Sequence, residues 1–266
     1  MSVPLVVQAS PHPGRSCRWL GDDRRVTVMT SLASRLRAAR LYLCTDARER
    51  QGDLEEFLRA AVTGGVDVVQ IRQPGIKRDA ELAALEVARS VAGASSAVVA
   101  VNESVRTAEK FAADVLHLGA DDGSARRAHR HLHDWALVGR SAHSVEQVDA
   151  ALADDAVDYV SLGPVHATPV EPDVAPVGLD LVRHAAQAAP VADVAAKPWF
   201  AVGGVNLETI DAVLEAGARR VVVVRAITEA DDPYAAARAL KDRLRQAWSD
   251  DPALKSYALR SAALGL

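Results

Sequence analysis

Between Leu41 and Trp248, short apolar runs alternate with stretches whose apolar residues recur at helical spacing, and each kind of segment predicts its own element. The runs predict strands at Leu41 to Cys44, Val66 to Ile71, Ala97 to Val101, Val115 to Leu118, Ala136 to Arg140, Tyr159 to Leu162, Trp199 to Val202 and Val221 to Val224. The stretches between them predict helices over Asp53 to Thr63, Asp79 to Ala92, Val105 to Phe111, Ser124 to His131, Ser144 to Ala153, Leu179 to Ala188, Leu207 to Glu215 and Pro233 to Trp248. A further helix, Ser31 to Arg40, precedes the first strand, and no long linker divides the series.

The segment from Trp199 to Ile227 organises this pattern. An apolar run ends in Gly203-Gly204, Asn206 is placed to cap a helix, and a second apolar run follows at Val221. Two strands joined by one helix form a right-handed parallel unit, and glycines after the first strand bring bare N–H groups beside a helix start, a turn suited to phosphate. The same glycines also suit a tight turn with no ligand.

A weak repeat supports a closed architecture. Gly64 to Gln70 resembles Phe111 to His117, Asp155 to Val160 and Ala216 to Val222: small residues end a helix, a charged residue marks the bottom of a strand, and an apolar run begins. Such spacing fits a (β/α)8 TIM barrel, an α/β fold, better than an open doubly wound sheet. The first strand is not followed by the G-x-G-x-x-G of a dinucleotide-binding sheet.

The chain of 266 residues has length enough for one barrel, and its 49% hydrophobic content fits a globular protein. A net charge of -4 argues against a protein devoted to nucleic acid or anionic membranes. Two cysteines, Cys17 and Cys44, are too few for a disulfide framework, and Cys44 reads as a reduced, packed thiol, so the expected location is cytoplasmic. The expected organisation is a disordered extension over 1–28, the barrel over 29–249, and a short C-terminal appendage over 250–266. Met29 is the expected natural start, which would leave 1–28 untranslated.

In barrels of this kind chemistry sits at the C-terminal ends of the strands. There the sequence places Gln70 and Arg72, Asn102 and Glu103, His117 with Asp121 and Asp122, then Arg140, Ser141 and His143, and later His166, Thr168, Gly203-Gly204 and Arg225. Glu103 and Asp121-Asp122 are candidate oxygen ligands for Mg²⁺, although the aspartates equally suit a helix cap. Arg72, Arg140 and Arg225 suit anionic substrates. The histidines lack zinc-ligand spacing, and Ser141 lies in Arg-Ser-Ala-His rather than a nucleophile elbow.

Taken together, LYLCTDAR, GGVDVVQIR, ADVLHLG, LVGRSAHS, DYVSLGPV, KPWFAVGGVN and EAGARRVVVVRAIT resemble the thiamine-phosphate synthase family. The resemblance implies a Mg²⁺-dependent barrel enzyme that condenses 4-amino-2-methyl-5-pyrimidinylmethyl diphosphate with a thiazole phosphate and releases diphosphate. The diphosphate would leave first, and the thiazole nitrogen would capture the resulting cation. Carried over by motif, Gln70, Arg72 and Asn102 meet the pyrimidine diphosphate, Glu103 and Asp122 hold the metal, and Ser141 sits near the diphosphate. Thr168 and Gly204 meet the thiazole phosphate, Val224 and Arg225 are the substrate-binding pair after the eighth strand, and Arg72, Asn102 and Ser141 are the implied catalytic residues. Small phosphorylated molecules are the implied partners, and oligomeric state is left open.

This chain departs from the family pattern at phosphate-binding positions. Pro74 and Glu171 stand where the family has lysines, Val170 stands at a threonine, and Glu103 at an aspartate. Lys77 or Arg78 is a candidate replacement cation. Two alternatives follow from the same departures: a thiazole tautomerase using His143 as proton carrier, or a non-catalytic paralogue that binds thiamine precursors.

Overall fold

The computed structural model describes residues 31–169, 175–255 and 257. The expectations for the N-terminal extension, Met29, Cys17, Val170, Glu171 and most of the C-terminal appendage lie outside the described residues.

Eight parallel strands close into a barrel in sequence order, with β8 paired back to β1. They are β1 (Leu41–Thr45), β2 (Val68–Ile71), β3 (Val98–Asn102), β4 (Val115–Leu118), β5 (Leu137–Ala142), β6 (Tyr159–Leu162), β7 (Trp199–Val202) and β8 (Val221–Val223). Helix α1 (Leu32–Ala38) precedes β1. The helices that follow the strands are α2 (Leu54–Gly64), α3 (Arg78–Gly93), α4 (Val105–Phe111), α5 (Ala125–His129), α6 (Val145–Ala153), α7 (Gly178–Ala188) and α8 (Ile210–Glu215). A single turn, α9 (Arg225–Thr228), and the long α10 (Pro233–Asp250) end the series.

Strand alternation divides the core in two. Leu41, Leu43, Val69, Ile71, Val99 and Val101 pack outward against the helices, while Tyr42, Val68, Val98, Ala100, Tyr159 and Phe200 fill the interior. Leu36 and Ala39 plug the interior from below. The ring of Phe200 meets Tyr42 and Tyr159 edge-on at centroid distances of 5.6 and 5.8 Å. Gly139 makes room for this cluster, since a Cβ there would lie 2.1 Å from the Tyr159 ring.

The repeated charged residue at strand bottoms has a structural cause. Asp67 Oδ2 accepts hydrogen bonds from Arg40 N and Leu41 N at 2.7 and 2.9 Å, and Asp158 Oδ2 accepts one from Val138 N at 2.7 Å. Each carboxylate satisfies backbone donors where the neighbouring strand begins. Beyond α10, Leu254 and Tyr257 pack with Val194, and Tyr257 stands edge-on to Trp248.

Candidate active site

The C-terminal ends of the strands surround a cavity of about 360 Å³. Gln70, Arg72, Asn102, Glu103, His117, Ser141, His143, Thr168, Gly204, Val224 and Arg225 all line it, so strands far apart in sequence deliver the expected residues to one place. Tyr42, Cys44, Ser161, Asn206 and Glu229 line it as well and were not anticipated.

Three segments shape the rim. Gly203 and Gly204 have φ of 102° and 63°, backbone that L side chains seldom adopt. A Cβ on Gly203 would lie 2.4 Å from Pro164 Cα, so the turn after β7 is pressed against the loop after β6. Asn206 caps where expected, its Oδ1 accepting from Glu208 N and Thr209 N at 2.8 and 3.1 Å, but the turn it caps precedes α8, whose N-cap is Thr209. His143 is fixed by Nδ1 at 2.5 Å from Gly163 O and by its own N–H donating to Gln147 Oε1.

The acidic pair lies on the adjoining side. Glu103 and Asp122 border a second cleft between α4 and α5, and Glu103 alone of the two also lines the main cavity. Glu103 has φ of 56°, in the left-handed region, and its N–H donates to His117 O at 2.7 Å. Asp122 does not cap α5. Its Oδ2 accepts from Gly119 N at 2.7 Å and closes the loop after β4. Among the described residues no group of three or more His, Cys, Asp or Glu is placed to hold a metal ion. Two carboxylates nevertheless suffice for Mg²⁺ when substrate phosphate and water complete its octahedron.

Of the three rim arginines, Arg140 has a different task from the one expected. It donates to Gly119 O, Ala120 O and Asp122 O through Nη1 at 3.0–3.2 Å, and to Gly123 O through Nη2 at 2.6 Å. The guanidinium therefore clamps the loop that carries Asp122, and Arg72 and Arg225 are the two arginines facing the cavity. Arg225 Nη1 lies 3.9 Å from Glu229 Oε2, a long pair at the rim. Pro74 is exposed in the turn before α3, and neither Lys77 nor Arg78 lines the cavity. His166 has a buried Nε2 with no hydrogen-bond partner among the described residues.

At the cavity floor, Tyr42 Oη donates to Gln70 Oε1 at 2.7 Å, and Gln70 Nε2 donates to Asn102 Oδ1 at 2.5 Å. Tyr42 and Tyr159 hydroxyls are 3.3 Å apart, and His117 lies 3.0 Å from both Tyr159 Oη and Ser141 Oγ. Burial lowers the His117 pKa to about 4, with the Arg140 and Arg72 charges adding to the effect, so the imidazole is neutral at physiological pH. Burial raises the tyrosine pKa values above their ordinary value, so both hydroxyls keep their protons.

Fold and site together define a (β/α)8-barrel enzyme with a polar, arginine-bearing cavity at the strand C-termini. The model of the thiamine monophosphate synthase family matches residues 41–227, and the chain belongs to that family. It is 51% identical over 214 residues to thiamine-phosphate synthase of Thermobifida fusca, covering 80% of this chain and 96% of that protein. Identity to the thiamine-phosphate synthase of Acidothermus cellulolyticus is 50% over 209 residues, covering 79% of this chain and 96% of that protein. The fold is also that of the thiamine phosphate pyrophosphorylase from Pyrococcus furiosus, with a TM-score of 0.68 at 24% identity over 80% of this chain and 98% of that one.

Proposed function

We propose that this chain acts as a thiamine-phosphate synthase, joining 4-amino-2-methyl-5-pyrimidinylmethyl diphosphate to a thiazole phosphate with release of diphosphate. The observation that carries the reading is the convergence of Arg72, Asn102, Ser141, Gly204 and Arg225 on one cavity in a chain that belongs to the family. Asn102 and Gln70 would orient the pyrimidine, and Arg72 and Ser141 would receive the diphosphate. The Gly203-Gly204 turn, Thr168, the Val224 backbone and Arg225 would hold the thiazole phosphate.

The bond from the pyrimidine methylene to the diphosphate oxygen breaks, the leaving group carries the electron pair, and the thiazole nitrogen supplies the new pair. Such a reaction asks the protein for charge at the leaving oxygens and for a held geometry. Arg72 supplies a fixed cation on the cavity wall. The neutral His117 supplies none, which suits a residue that positions Ser141 rather than one that exchanges protons with substrate.

Glu103 and Asp122 fit Mg²⁺: both border one cleft, and Asp122 retains Oδ1 beside the oxygen bound to Gly119 N. When bound there, the ion would neutralise charge on the departing diphosphate. The clamp from Arg140 to the loop carbonyls holds Asp122 in place for that role. We further assign the barrel to 29–249, with the residues on either side as extensions, and place the enzyme in the cytoplasm with small phosphorylated molecules as its partners.

The test is thiamine phosphate formation by the purified full chain and by an Asp122→Ala variant at several Mg²⁺ concentrations. Metal-dependent product from the parent chain and a loss of at least 100-fold in the variant are expected. Product formed at the parent rate by the variant would remove the metal assignment, and no product from the parent would remove the synthase reading.

A further inference from the structure

Among the described residues, the floor of the cavity carries an unbranched series of hydrogen bonds whose two ends both open into the cavity. It runs Ser141, His117, Tyr159, Tyr42, Gln70, Asn102, through contacts of 3.0, 3.0, 3.3, 2.7 and 2.5 Å. Ser141 and Asn102 line the cavity at the two ends; Tyr42, Gln70 and His117 reach it between them while almost wholly buried, and Tyr159 is buried beneath it.

Each interior member has one hydrogen to give along the chain and at least one lone pair to receive with. A hydroxyl has a single proton, a neutral imidazole has one N–H and one bare nitrogen, and a primary amide has a donor end and an acceptor end. In such a series, every donor must meet an acceptor, because a mismatch would leave a buried polar atom without a partner. A tyrosine that accepted from both neighbours would leave its own buried proton without an acceptor, so only two arrangements fill all five contacts with every tyrosine proton donated.

In the first, Ser141 donates to His117 Nε2, His117 Nδ1–H donates to Tyr159, Tyr159 to Tyr42, Tyr42 to Gln70 Oε1, and Gln70 Nε2 to Asn102 Oδ1. Asn102 then turns its NH₂ to the cavity, and Ser141 offers lone pairs only. In the second, every bond is reversed: Asn102 offers its carbonyl oxygen to the cavity, and Ser141 offers its O–H. The hydroxyls reverse by rotating about their C–O bonds and the amides by half-turns. The imidazole trades its Nδ1 proton for one on Nε2 through solvent, so the total number of protons is unchanged.

We propose that Tyr42, Tyr159 and His117 are positioning residues that make the hydrogen-bonding character of Asn102 depend on what is bound at Ser141. An anion at Ser141 requires an O–H donor there and so selects the second arrangement, in which Asn102 accepts. The cavity then recognises a ligand that carries an aromatic amine at one end and an anionic group at the other. This recognition rests on the synthase reading, since the pyrimidine diphosphate has both features; the coupling between the two ends does not.

The test reads the tautomer of His117 by ¹⁵N NMR of the full chain, its ring resonances identified among the eight histidines by comparison with His117→Gln. The expected result is an Nδ1–H ring in the free protein that becomes Nε2–H when inorganic diphosphate saturates the site. A tautomer unmoved by bound diphosphate, or diphosphate that does not bind, overturns the coupling.

The second arm compares the amino-pyrimidine diphosphate with its 4-oxo analogue in Tyr42→Phe, which removes one hydroxyl from the middle of the series. The expected variant has an amino-over-oxo preference in kcat/KM reduced about tenfold, an unchanged KM for the thiazole phosphate and a Tm close to the parent value. A preference retained in full, or KM values for both substrates raised together, overturns it. If the tautomer switches while neither pyrimidine turns over, the coupling stands and the synthase reading falls.

Discussion

The two ends of the barrel both carry arginines and lysines, and they use them in opposite ways. At the bottom the cations are consumed by the protein itself. Arg35 donates to Ser96 O and Ala97 O, Arg37 to Val194 O and Ala196 O, and Lys197 to Ala151 O and Asp154 O. Lys241 is paired with Asp67, and the Arg40 and Arg220 guanidinium groups lie 4.4 and 5.4 Å from the centre of the Trp248 ring. At the top, Arg48 is taken up by Asp53 and Thr228 O and Arg140 by loop carbonyls, while Arg72 and Arg225 line the cavity. The contrast separates cations that hold strand ends and loops in place from cations that line the cavity, and it assigns stability to one end and chemistry to the other.

Removing the Asp67 carboxylate should give the largest effect at the bottom. Asp67→Ala leaves Lys241 buried without its counter-charge and strips the Arg40 and Leu41 N–H groups of their acceptor. A loss of about 3–4 kcal/mol in urea unfolding is expected, with kcat/KM of the folded protein unchanged. A catalytic loss without a stability loss would break the division between the ends.

His117 lies at the cavity floor between Tyr159 and Ser141, and its signature is a pH dependence of stability. Its folded pKa is lowered from 6.5 to about 4, so between those values the unfolded chain binds a proton that the fold does not. Its contribution is present in full above pH 6.5 and is lost as the pH falls toward 4. The expected difference is on the order of 3 kcal/mol, and His117→Gln should flatten that part of the curve.

At the top, Arg72→Ala should lower kcat/KM about 100-fold, equivalent to about 2.7 kcal/mol, while the urea midpoint shifts little. Arg225→Ala should have the smallest effect, about tenfold, and appear mainly in KM for the thiazole phosphate, because its side chain is 43% exposed and screened by solvent. Equal effects on both substrates would place Arg225 elsewhere in the reaction.

The barrel was legible because its strands are short, mostly apolar runs, the pattern of a buried parallel strand. Where polar residues lie at the end of a strand the reading stops early. β5 runs to Ala142, since Ser141 and Ala142 pair with Ser161 and Leu162, whereas the apolar run predicts an end at Arg140. α9 is a single turn, too short to show periodicity. The rim residues could be located because the fold assigns them to strand ends. Their division of labour could not, because it depends on contacts across the barrel. Arg140 reads like any rim cation until the loop carbonyls are seen around it, and Tyr42 and Tyr159 read as strand filler until the closed register brings their hydroxyls to 3.3 Å.

The central claim is that the cations and carboxylates at the top of the barrel serve a diphosphate-releasing condensation. It is tested most directly by a diphosphate-release assay on the purified full chain with the pyrimidine diphosphate, the thiazole phosphate and Mg²⁺, against controls lacking each. Release that requires all three is the predicted result. Silence from the complete mixture, with the thiazole phosphate still binding by calorimetry, would contradict the account.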